Sequence, residues 1–285
     1  MKLCQFFHDD KIKCGLISDT LVSVSDLMIF ELLALSTAEL QHYFESITET
    51  IPLNDVRLTA PLIYPGKIFA LAGNYEAHII ESHDELQEQD KQTPRVFFKP
   101  PSNTVIGPGD AIKIPAIGNA IDWEGELAVV MGKRASAVKR DVAMDYVAGY
   151  TIMNDVSERQ LKIWDRTDSR DKDLWFDWLN GKWCDTFAPM GPWIVTVDEL
   201  TDPHDVNIST YVNGERKQNC SSSQMIFKIP EIIEYISAFA TLEVGDVIST
   251  GTVAGVGATT GTFLKPGDQV KVEISKIGAL ENSVE

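Results

Sequence analysis

Residues 121–130 read IDWEGELAVV, and this stretch decides the fold prediction because it joins an apolar strand to two acids. The LAVV run predicts a buried β-strand, and side chains two apart on a strand share a face. Glu124 and Glu126 therefore point the same way from apolar surroundings. Two carboxylates so close repel each other, and neither stays ionised in a dry site without a cation, a shared proton or a basic partner. A hard divalent cation is the favoured partner.

Asp155 supplies a third acid, because it ends the apolar strand predicted in GYTIMNDVSER. Strand ends are where polar groups enter a cleft. Glu124, Glu126 and Asp155 would form an all-oxygen ligand set that suits Mg²⁺, Mn²⁺ or Ca²⁺ rather than zinc. The competing interpretation is a set of solvated surface acids, the common state of carboxylates. Asp122 shares the face of the glutamates, but at the strand start a turn or edge role competes with a ligand role.

A second pattern is GNYEAHIIESHDEL, in which His78 and Glu81 lie three residues apart and would share one face of a helical turn. A carboxylate can orient an imidazole and stabilise its charged form, while the other ring nitrogen takes a proton from water. The pair is thus a candidate general base. The alternatives are a solvated surface pair, or His83 in place of His78.

Composition excludes several classes of function. The net charge of −17 and the lack of a Lys/Arg cluster argue against nucleic acid and anionic membranes as partners. No apolar run reaches the roughly 20 residues of a spanning helix. The four scattered cysteines form no C-x-x-C pair, and charges interrupt the N-terminus before any signal-peptide core, so we expect a cytoplasmic protein with free thiols.

Periodicity predicts short antiparallel strands over residues 1–24, one or two amphipathic helices after Ser25, and a boundary near residue 66. Two further helices are predicted, one around 140–146 and one starting at Pro230. The rest of the chain is predicted to be mostly β, in the runs KIFALAG, RVFFK, AIKIP, DWEGELAVVMG, VAGYTIMND, PWIVT, ISTYVNG, DVISTGT and QVKVEIS. The charged, Trp-rich segment at 160–182 suits a helix or loop that walls the site or a dimer contact.

Several motifs occur in the order typical of the fumarylacetoacetate hydrolase family: LAGNYEAHIIE, FFKPPSNTVIGPGD, IDWEGELAVVMGK, VAGYTIMNDVSER, GKWCDTFAPMGPWIVT and LEVGDVISTGTVAGVG. The resemblance runs from about Lys67 to near the C-terminus, and several motifs in register make it specific. It implies an α+β, mostly β fold, the mixed β-sandwich roll of the family, with a small N-terminal α/β domain at 1–66 and a catalytic domain at 67–285.

The resemblance also implies a divalent metal, Mg²⁺ or Mn²⁺, and a homodimer. Glu124, Glu126 and Asp155 match the family's metal carboxylates. His78 with Glu81 matches the lid dyad that activates water in its acylpyruvase branch. An occupied crystal could equally hold Ca²⁺ at such a site.

Arg159 and Lys182 match basic site residues of the family. Arg159 could offer a fork of donors to a carboxylate beside the metal, and Lys182 a point charge to a developing enolate. Taken without the resemblance, Arg159 would be an ion pair with Asp165 or Glu158, and Lys182 a surface or helix-end lysine.

The substrate expected from the resemblance is a small anionic 2-oxo or 2,4-dioxo acid. Thr252, in STGT, matches the loop that receives the substrate carboxylate, and Gly251 and Tyr75 are assigned to substrate binding with it. The leading hypothesis is hydrolysis of a carbon–carbon bond in a 1,3-diketo acid such as an acylpyruvate, fumarylacetoacetate-like compound or 2,4-diketo-3-deoxy sugar acid, through a metal-stabilised enolate.

Other reactions would use the same enolate: decarboxylation of an oxaloacetate-like β-keto acid, isomerisation of an unsaturated 2-oxo dicarboxylate, or dehydration of a sugar acid. A hypothesis from another class is a catalytically silent metal-binding β protein. Turnover of 2-oxo acids in the presence of Mg²⁺ or Mn²⁺ distinguishes it from the enzymes.

Overall fold

The structure is a computed structural model that describes residues 1–82 and 86–285. Its strands are β1 (Lys2–His8), β2 (Lys11–Ser18), β3 (Leu21–Ser25), β4 (Thr50–Pro52), β5 (Arg57–Leu58), β6 (Ile68–Ala72), β7 (Arg95–Lys99), β8 (Val105–Ile106), β9 (Ile121–Asp122), β10 (Gly125–Met131), β11 (Val147–Asn154), β12 (Ser157–Glu158), β13 (Ala188–Thr196), β14 (Asn207–Val212), β15 (Glu215–Ser221), β16 (Val247–Ser249), β17 (Gln269–Ile274) and β18 (Gly278–Ser283). Its α-helices are α1 (Ile29–Ala34), α2 (Thr37–Glu45), α3 (Glu76–Glu81), α4 (Pro101–Thr104), α5 (Asp171–Asn180), α6 (Ile229–Ser237) and α7 (Gly257–Thr260).

A large mixed sheet organises the chain, in the order β4-β3-β2-β1-β13-β11-β10-β16-β6-β7, with β5 on β1 and β8 on β13. Its pairs are antiparallel except for β16 with β6 and β13 with β8. A four-stranded antiparallel sheet, β15-β14-β17-β18, and the short pair β12-β9 complete the β-structure. The predicted α+β, mostly β class is confirmed.

Strand β10 is buried along its whole length, which explains its unbroken apolar sequence. Leu127 and Val129 face a core shared with the four-stranded sheet, whereas Ala128 and Val130 face a second core. The alternation follows from the two-residue period of a strand. Because both faces are covered, a polar side chain on β10 must find its partners inside the protein.

Helices α1 and α2 cover that second core from the N-terminal side. Leu32, Leu33 and Leu40 pack there with side chains of the large sheet. Helix α2 begins at a Ser36–Glu39 capping box, which satisfies free backbone donors at its N-terminus. The N-terminal residues thus share both a sheet and a core with the rest of the chain, while the predicted domain boundary near residue 66 stays a prediction.

Most predicted elements are confirmed, including the antiparallel strands of residues 1–24 and the helix after Pro230, which is α6. Two predictions were wrong. Residues 111–115, AIKIP, were predicted as a strand but make only an isolated bridge, between Ile112 and Val284. The backbone hydrogen bonds of Ile112 go to Ser283 and Glu285 at the C-terminus, and they do not continue as a ladder. The helix predicted around 140–146 is a single 3₁₀ turn, Ala143–Tyr146, with α6 packed beside it.

Two properties of the composition have structural counterparts. Cys4, Cys14, Cys184 and Cys220 are all free. Within residues 1–82 and 86–285, no helix is long and apolar enough to cross a membrane.

Candidate active site

The antiparallel pairing of β10 with β11 brings the three predicted acids together. Gly125 lies opposite Asn154, so the next pair outward is Glu124 with Asp155, and the Asp155 amide donates to the Glu124 carbonyl at 2.9 Å. Glu126 lies one side-chain period further along the same face as Glu124. All three side chains are buried. The alternative of solvated surface acids was therefore wrong.

The three carboxylates form a set that fits a divalent cation. Glu124, Glu126 and Asp155 each offer an oxygen, and these oxygens lie within 4.8 Å of one another. That span is close to twice a metal–oxygen distance of about 2.1–2.5 Å for Mg²⁺ or Ca²⁺. Glu126 Oε1 is buried and has no hydrogen-bond partner among the described residues. A buried orphan acceptor within an all-oxygen set supports a hard cation as its missing partner.

The other oxygen of Glu126 is fixed by the strand that follows β10 in the sheet. Glu126 Oε2 accepts hydrogen bonds from Ser249 Oγ at 2.5 Å and from the Gly251 amide at 2.8 Å. Gly251 has φ +95°, and a Cβ there would lie 2.9 Å from the Asn74 Cβ. Only glycine meets both conditions without strain, so Gly251 is needed to deliver this amide.

Two buried lysines bind Asp155, one at each carboxylate oxygen. Lys182 Nζ lies 2.7 Å from Asp155 Oδ2 and 2.6 Å from Glu124 Oε2. Lys99 Nζ lies 2.5 Å from Asp155 Oδ1 and also donates to the Val156 carbonyl. Lys182 is 2% exposed and Lys99 is fully buried, so the alternative of a surface lysine at 182 was wrong.

Arg159 completes the cation set. Its guanidinium binds Glu124 and, through Nε at 2.8 Å, Asp122. Asp122 also accepts from the amides of Gly257 and Ala258, which open α7. Asp122 therefore has the edge role and positions Arg159. The alternative pairing of Arg159 with Asp165 or Glu158 was wrong, because Asp165 pairs with Lys162 and Glu158 accepts backbone amides.

Burial and neighbouring charges set the protonation of this cluster. Burial, together with the charges of Asp155 and Glu124, raises the pKa of Glu126 well above its ordinary value. Burial would raise the pKa of Glu124 as well, but the Lys182 and Arg159 charges lower it below the ordinary value. The neighbouring cations thus favour the ionised form of Glu124, whereas burial disfavours the ionised form of Glu126, and a bound cation would oppose that effect of burial.

The same balance separates the two lysines. Burial lowers the pKa of Lys99 despite the Asp155 carboxylate. Burial also acts on Lys182, but there Asp155 and Glu124 together prevail and raise its pKa. Lys182 is accordingly a firm positive charge at the centre of the cluster.

The predicted lid dyad is formed on helix α3. His78 Nδ1 lies 2.8 Å from Glu81 Oε1, and Glu81 Oε2 accepts from the Gly255 amide at 2.8 Å. The side chains are 14% and 19% exposed, so this is not a solvated surface pair. The competing His83 lies outside the described residues.

One cavity of about 540 Å³ is lined by His78 of the dyad and by Glu124 of the acid cluster. Its charged wall consists of His78, Glu124, Arg159 and Lys182, with Thr252 beside them, and the other polar residues of the lining are Ser82 and Arg95. The rest of the lining is largely apolar and comes from β6, β7, α3, α5 and the loop before α7. The size lies within the range of small-molecule sites, about 300–1,000 Å³.

Three residues assigned to substrate binding have the following places. Thr252 lines the cavity and accepts from Gln218 Nε2 at 2.8 Å. The Gly251 amide donates its hydrogen bond to Glu126. Neither Gly251 nor Tyr75 is among the described residues that line the cavity. Tyr75 Oη is buried without a hydrogen-bond partner in the described part of the chain, and burial and the Glu126 charge raise its pKa. Their roles stay predictions.

Sequence reasoning missed Lys99 and Gln218. Lys99 shares a face of β7 with buried Phe97, so a lysine at an inward strand position was the available signal. Gln218 lies in the polar run of β15 and nothing local marks it. It is nevertheless 1% exposed, and it joins Thr252, Val253 and the Gly125 amide.

Several known proteins are similar to this chain in sequence or in fold. An Oxaloacetate tautomerase fahd2, mitochondrial, of Xenopus laevis is 38% identical over 253 residues, 88% of this chain and 75% of the relative. The 5-carboxymethyl-2-hydroxymuconate delta-isomerase of Mycobacterium smegmatis superposes with TM-score 0.78 at 33% identity, covering 100% of this chain and 99% of that one. The maleylpyruvate hydrolase of Sphingobium sp. SYK-6, in complex with manganese(II) and pyruvate, superposes with TM-score 0.79 at 26% identity, covering 100% and 98%.

The family profile described as Fumarylacetoacetate (FAA) hydrolase C-terminal matches residues 67–285. The resemblance seen in the motifs is thereby confirmed, as is the fold it implied. The similar proteins named above include a tautomerase, an isomerase and a hydrolase. The chain belongs to the fumarylacetoacetate hydrolase family.

Proposed function

We propose that the protein is a divalent-metal-dependent hydrolase that cleaves the carbon–carbon bond of a 2,4-dioxo acid of the acylpyruvate type. The observation that carries this proposal is the His78–Glu81 dyad, whose histidine lines the same cavity as Glu124, Arg159 and Lys182. A base beside an enolate-stabilising site is what hydrolysis requires and simple decarboxylation does not.

Glu124, Glu126 and Asp155 would hold the metal, Mg²⁺ or Mn²⁺. When bound, this cation would polarise the 2-oxo acid and offset the charge that develops on its oxygens. The manganese and pyruvate bound by the maleylpyruvate hydrolase support both the ion and the ligand class.

The chain's own groups then have distinct tasks. Glu81 orients His78 through Nδ1, which leaves Nε2 to take a proton from water. The hydroxide formed adds to the C4 ketone, and the C3–C4 bond breaks so that its electron pair becomes the enolate of pyruvate. Lys182 and Arg159 offset the negative charge, and a proton returned to C3 gives pyruvate and a carboxylic acid. Thr252 would hold the substrate carboxylate together with Arg159.

A second candidate function is keto–enol tautomerisation of oxaloacetate, favoured by the 38% identity to the Xenopus tautomerase. The same dyad would move a proton at C3 instead of activating water. Decarboxylation, isomerisation and dehydration are further candidate reactions, and a screen of 2-oxo acids with product identification detects them. We place the enzyme in the cytoplasm as a homodimer, the latter to be checked by light scattering.

The test is a screen of 2-oxo and 2,4-dioxo acids with Mg²⁺, Mn²⁺ or a chelator, with products identified. We expect hydrolysis of an acylpyruvate that stops when metal is removed. His78→Ala should lower kcat for hydrolysis by about 10²–10⁴-fold, because the general base is lost. His42→Ala, an exposed position on α2, is the control and should leave it unchanged.

Full hydrolase activity in His78→Ala would contradict the dyad assignment. Turnover of oxaloacetate enol without any dioxo-acid hydrolysis would favour the tautomerase. No turnover of any of these acids would support the metal-binding protein without catalysis.

A further inference from the structure

The cavity continues beyond its charged wall into an aromatic one. Phe97 of β7 and Trp178 of α5 meet edge to face, with ring centroids 5.2 Å apart and planes at 72°. Lys182 Nζ lies 5.3 Å from the Phe97 centroid and 5.5 Å from that of Trp178. The aromatic pair therefore lies directly beside Lys182, the lysine that would stabilise the enolate.

More apolar side chains extend this wall toward the mouth. Trp175 lines the cavity one helical turn before Trp178 and is 54% exposed. Ile79, Val96 and Val256 line the cavity too. An exposed indole beside a cavity gains from being covered by an apolar ligand, because such burial removes apolar surface from water.

The spacing of residues along strand β7 gives distances along the cavity wall. Lys99, Phe97 and Arg95 share one face of this strand, and their exposure rises in that order from fully buried to exposed. At about 3.3 Å per residue, Phe97 lies roughly 7 Å from Lys99 along the strand, and Arg95 roughly 13 Å. Lys99 itself does not line the cavity, but Lys182 of the charged wall lies beside Phe97, and Arg95 lies roughly 7 Å further along the strand. A substituent at the far end of a five-carbon acid held at the charged wall therefore reaches Phe97 before it reaches Arg95.

Among the described residues that line this outer region, Arg95 is the cation that would favour a second carboxylate, and it already has an interaction partner. The net charge of −17 further disfavours a doubly charged ligand outside the cation cluster. Both observations favour an uncharged distal group.

We infer that the outer cavity is a subsite for an apolar distal group, aromatic or branched, so that the preferred substrates are aryl or branched-alkyl acylpyruvates rather than short diacids. This inference rests on the proposed function, because it presumes that the charged wall holds a 2-oxo acid. Phe97 and Trp178 would contact the distal group, and Trp175 would cover its outer side.

The experiment measures the binding of phenylpyruvate, 2-oxoglutarate and pyruvate to the Mn²⁺-loaded protein by calorimetry, with hydrolysis of benzoylpyruvate and acetylpyruvate assayed in parallel. We expect phenylpyruvate to bind at least tenfold more tightly than either other acid. Trp178→Ala should remove this preference and leave pyruvate binding within about twofold, whereas Trp178→Phe should keep most of it. Trp164→Ala, 82% exposed and outside the cavity lining, is the matched control.

Tighter binding of 2-oxoglutarate than of phenylpyruvate would overturn the subsite while leaving the hydrolase proposal intact. Binding of phenylpyruvate with the expected preference but without hydrolysis of either dioxo acid would support the subsite and contradict the hydrolase. If no 2-oxo acid bound, both would fall.

Discussion

Each of the three clustered carboxylates, Glu124, Glu126 and Asp155, has its own set of partners, although all three are acidic side chains. Glu126 keeps one bare oxygen, Glu124 is bound by Lys182 and Arg159, and Asp155 lies between Lys182 and Lys99. Buried charges are tolerated only when paired, so the lysines offset the acids in the absence of metal. A cation bound here would therefore meet a site whose negative charge is already largely balanced.

The pairing predicts the effect of removing one buried cation. Lys99→Met leaves Asp155 without one of its partners, so we expect the free energy of unfolding in chelator to fall by about 3–5 kcal/mol. Added Mn²⁺ should stabilise the variant more than the wild type, because the ion supplies the missing positive charge. Denaturant unfolding with and without Mn²⁺ measures both effects.

Lys91→Met is the control for this change, since the Lys91 side chain is 62% exposed in a surface pair with Glu88. Its stability should stay within about 0.5 kcal/mol of the wild type. Equal stability of Lys99→Met and the wild type in chelator would contradict the account of Lys99.

The sequence predicted which acids form the site better than it predicted the residues that contact them. The E-x-E spacing and Asp155 could be read from strand periodicity, because their placement depends on a local period of two. The partners of Arg159 could not, since Asp122 is brought to it by the pairing of β9 with β12 and is itself held by the Gly257 amide of α7, 135 residues away from Asp122 in the chain. Lys99 was missed because β7 is separated from β10 by β6 and β16 in the sheet.

At the scale of single elements, helix α6 depends on a side chain outside it. His204 Nε2 accepts a hydrogen bond from the Ile229 amide at 3.2 Å, and Ile229 is the first residue of the helix. The first amides of a helix lack partners within it. Only a neutral ring nitrogen can accept this bond, so the helix start favours the unprotonated histidine.

The sign of the pH effect follows from this preference. Burial, with the Lys228 charge added to it, lowers the pKa of His204 from 6.5, although Asp202 and Glu231 act in the opposite direction. The unfolded chain therefore binds this proton at higher pH than the folded one. The resulting stability is present above about pH 6.5 and is lost as pH falls through the lowered pKa.

We accordingly expect the Tm of the wild type to fall more steeply between pH 8 and pH 5 than that of His204→Gln, as measured by calorimetry. His42→Gln, an exposed position on α2, should keep the wild-type slope. Parallel slopes for the wild type and His204→Gln would exclude this role for His204.

For the Trp-rich segment at 160–182, the sequence predicted the kind of element but not its contacts. Its composition predicted a helix or loop at one edge, and helix α5 at Asp171–Asn180 confirms the helical alternative. Trp175 and Trp178 line the cavity, so the predicted site wall is present. Which faces of α5 meet the cavity depends on β7, and no local pattern in residues 160–182 encodes that contact.

At the scale of the whole molecule, the N-terminal residues are part of the same sheet as the site. β1 pairs with β2 on one side and with β13 on the other, and β13 pairs with β11, whose end carries Asp155. The strand pattern of residues 1–24 could be predicted, but the pairing of Leu3 with Ile194, far later in the chain, could not. Such long-range pairing is set by the closing of the whole fold.

This continuity predicts that a core change in the N-terminal part lowers the stability of the whole chain. Leu32 is fully buried in the core shared with Ile68, Ile194 and Val247. Leu32→Ala should lower the free energy of unfolding by about 2–5 kcal/mol in a single transition. Leu174→Ala, 58% exposed on α5, is the matched control and should change it by less than about 0.5 kcal/mol.

Unfolding can be followed by tryptophan fluorescence and far-ultraviolet circular dichroism. All six tryptophans lie after residue 66, and Trp193 also packs against the N-terminal cluster that contains Phe6 and Val22, so their fluorescence reports on the later part of the chain and on this one contact. A separate early transition in Leu32→Ala by circular dichroism, before the main change in fluorescence, would show that the two parts unfold independently.

The two oxygens of Glu81 serve different parts of the molecule at once. One binds His78 on the same helix, and the other binds the Gly255 amide in the segment that follows β16. If α3 moves away from that segment, the carboxylate loses its anchor, and the imidazole loses the fixed orientation that proton transfer needs. The orientation of the imidazole is therefore coupled to the position of α3, because both oxygens of Glu81 are held only while this helix lies against the segment that follows β16.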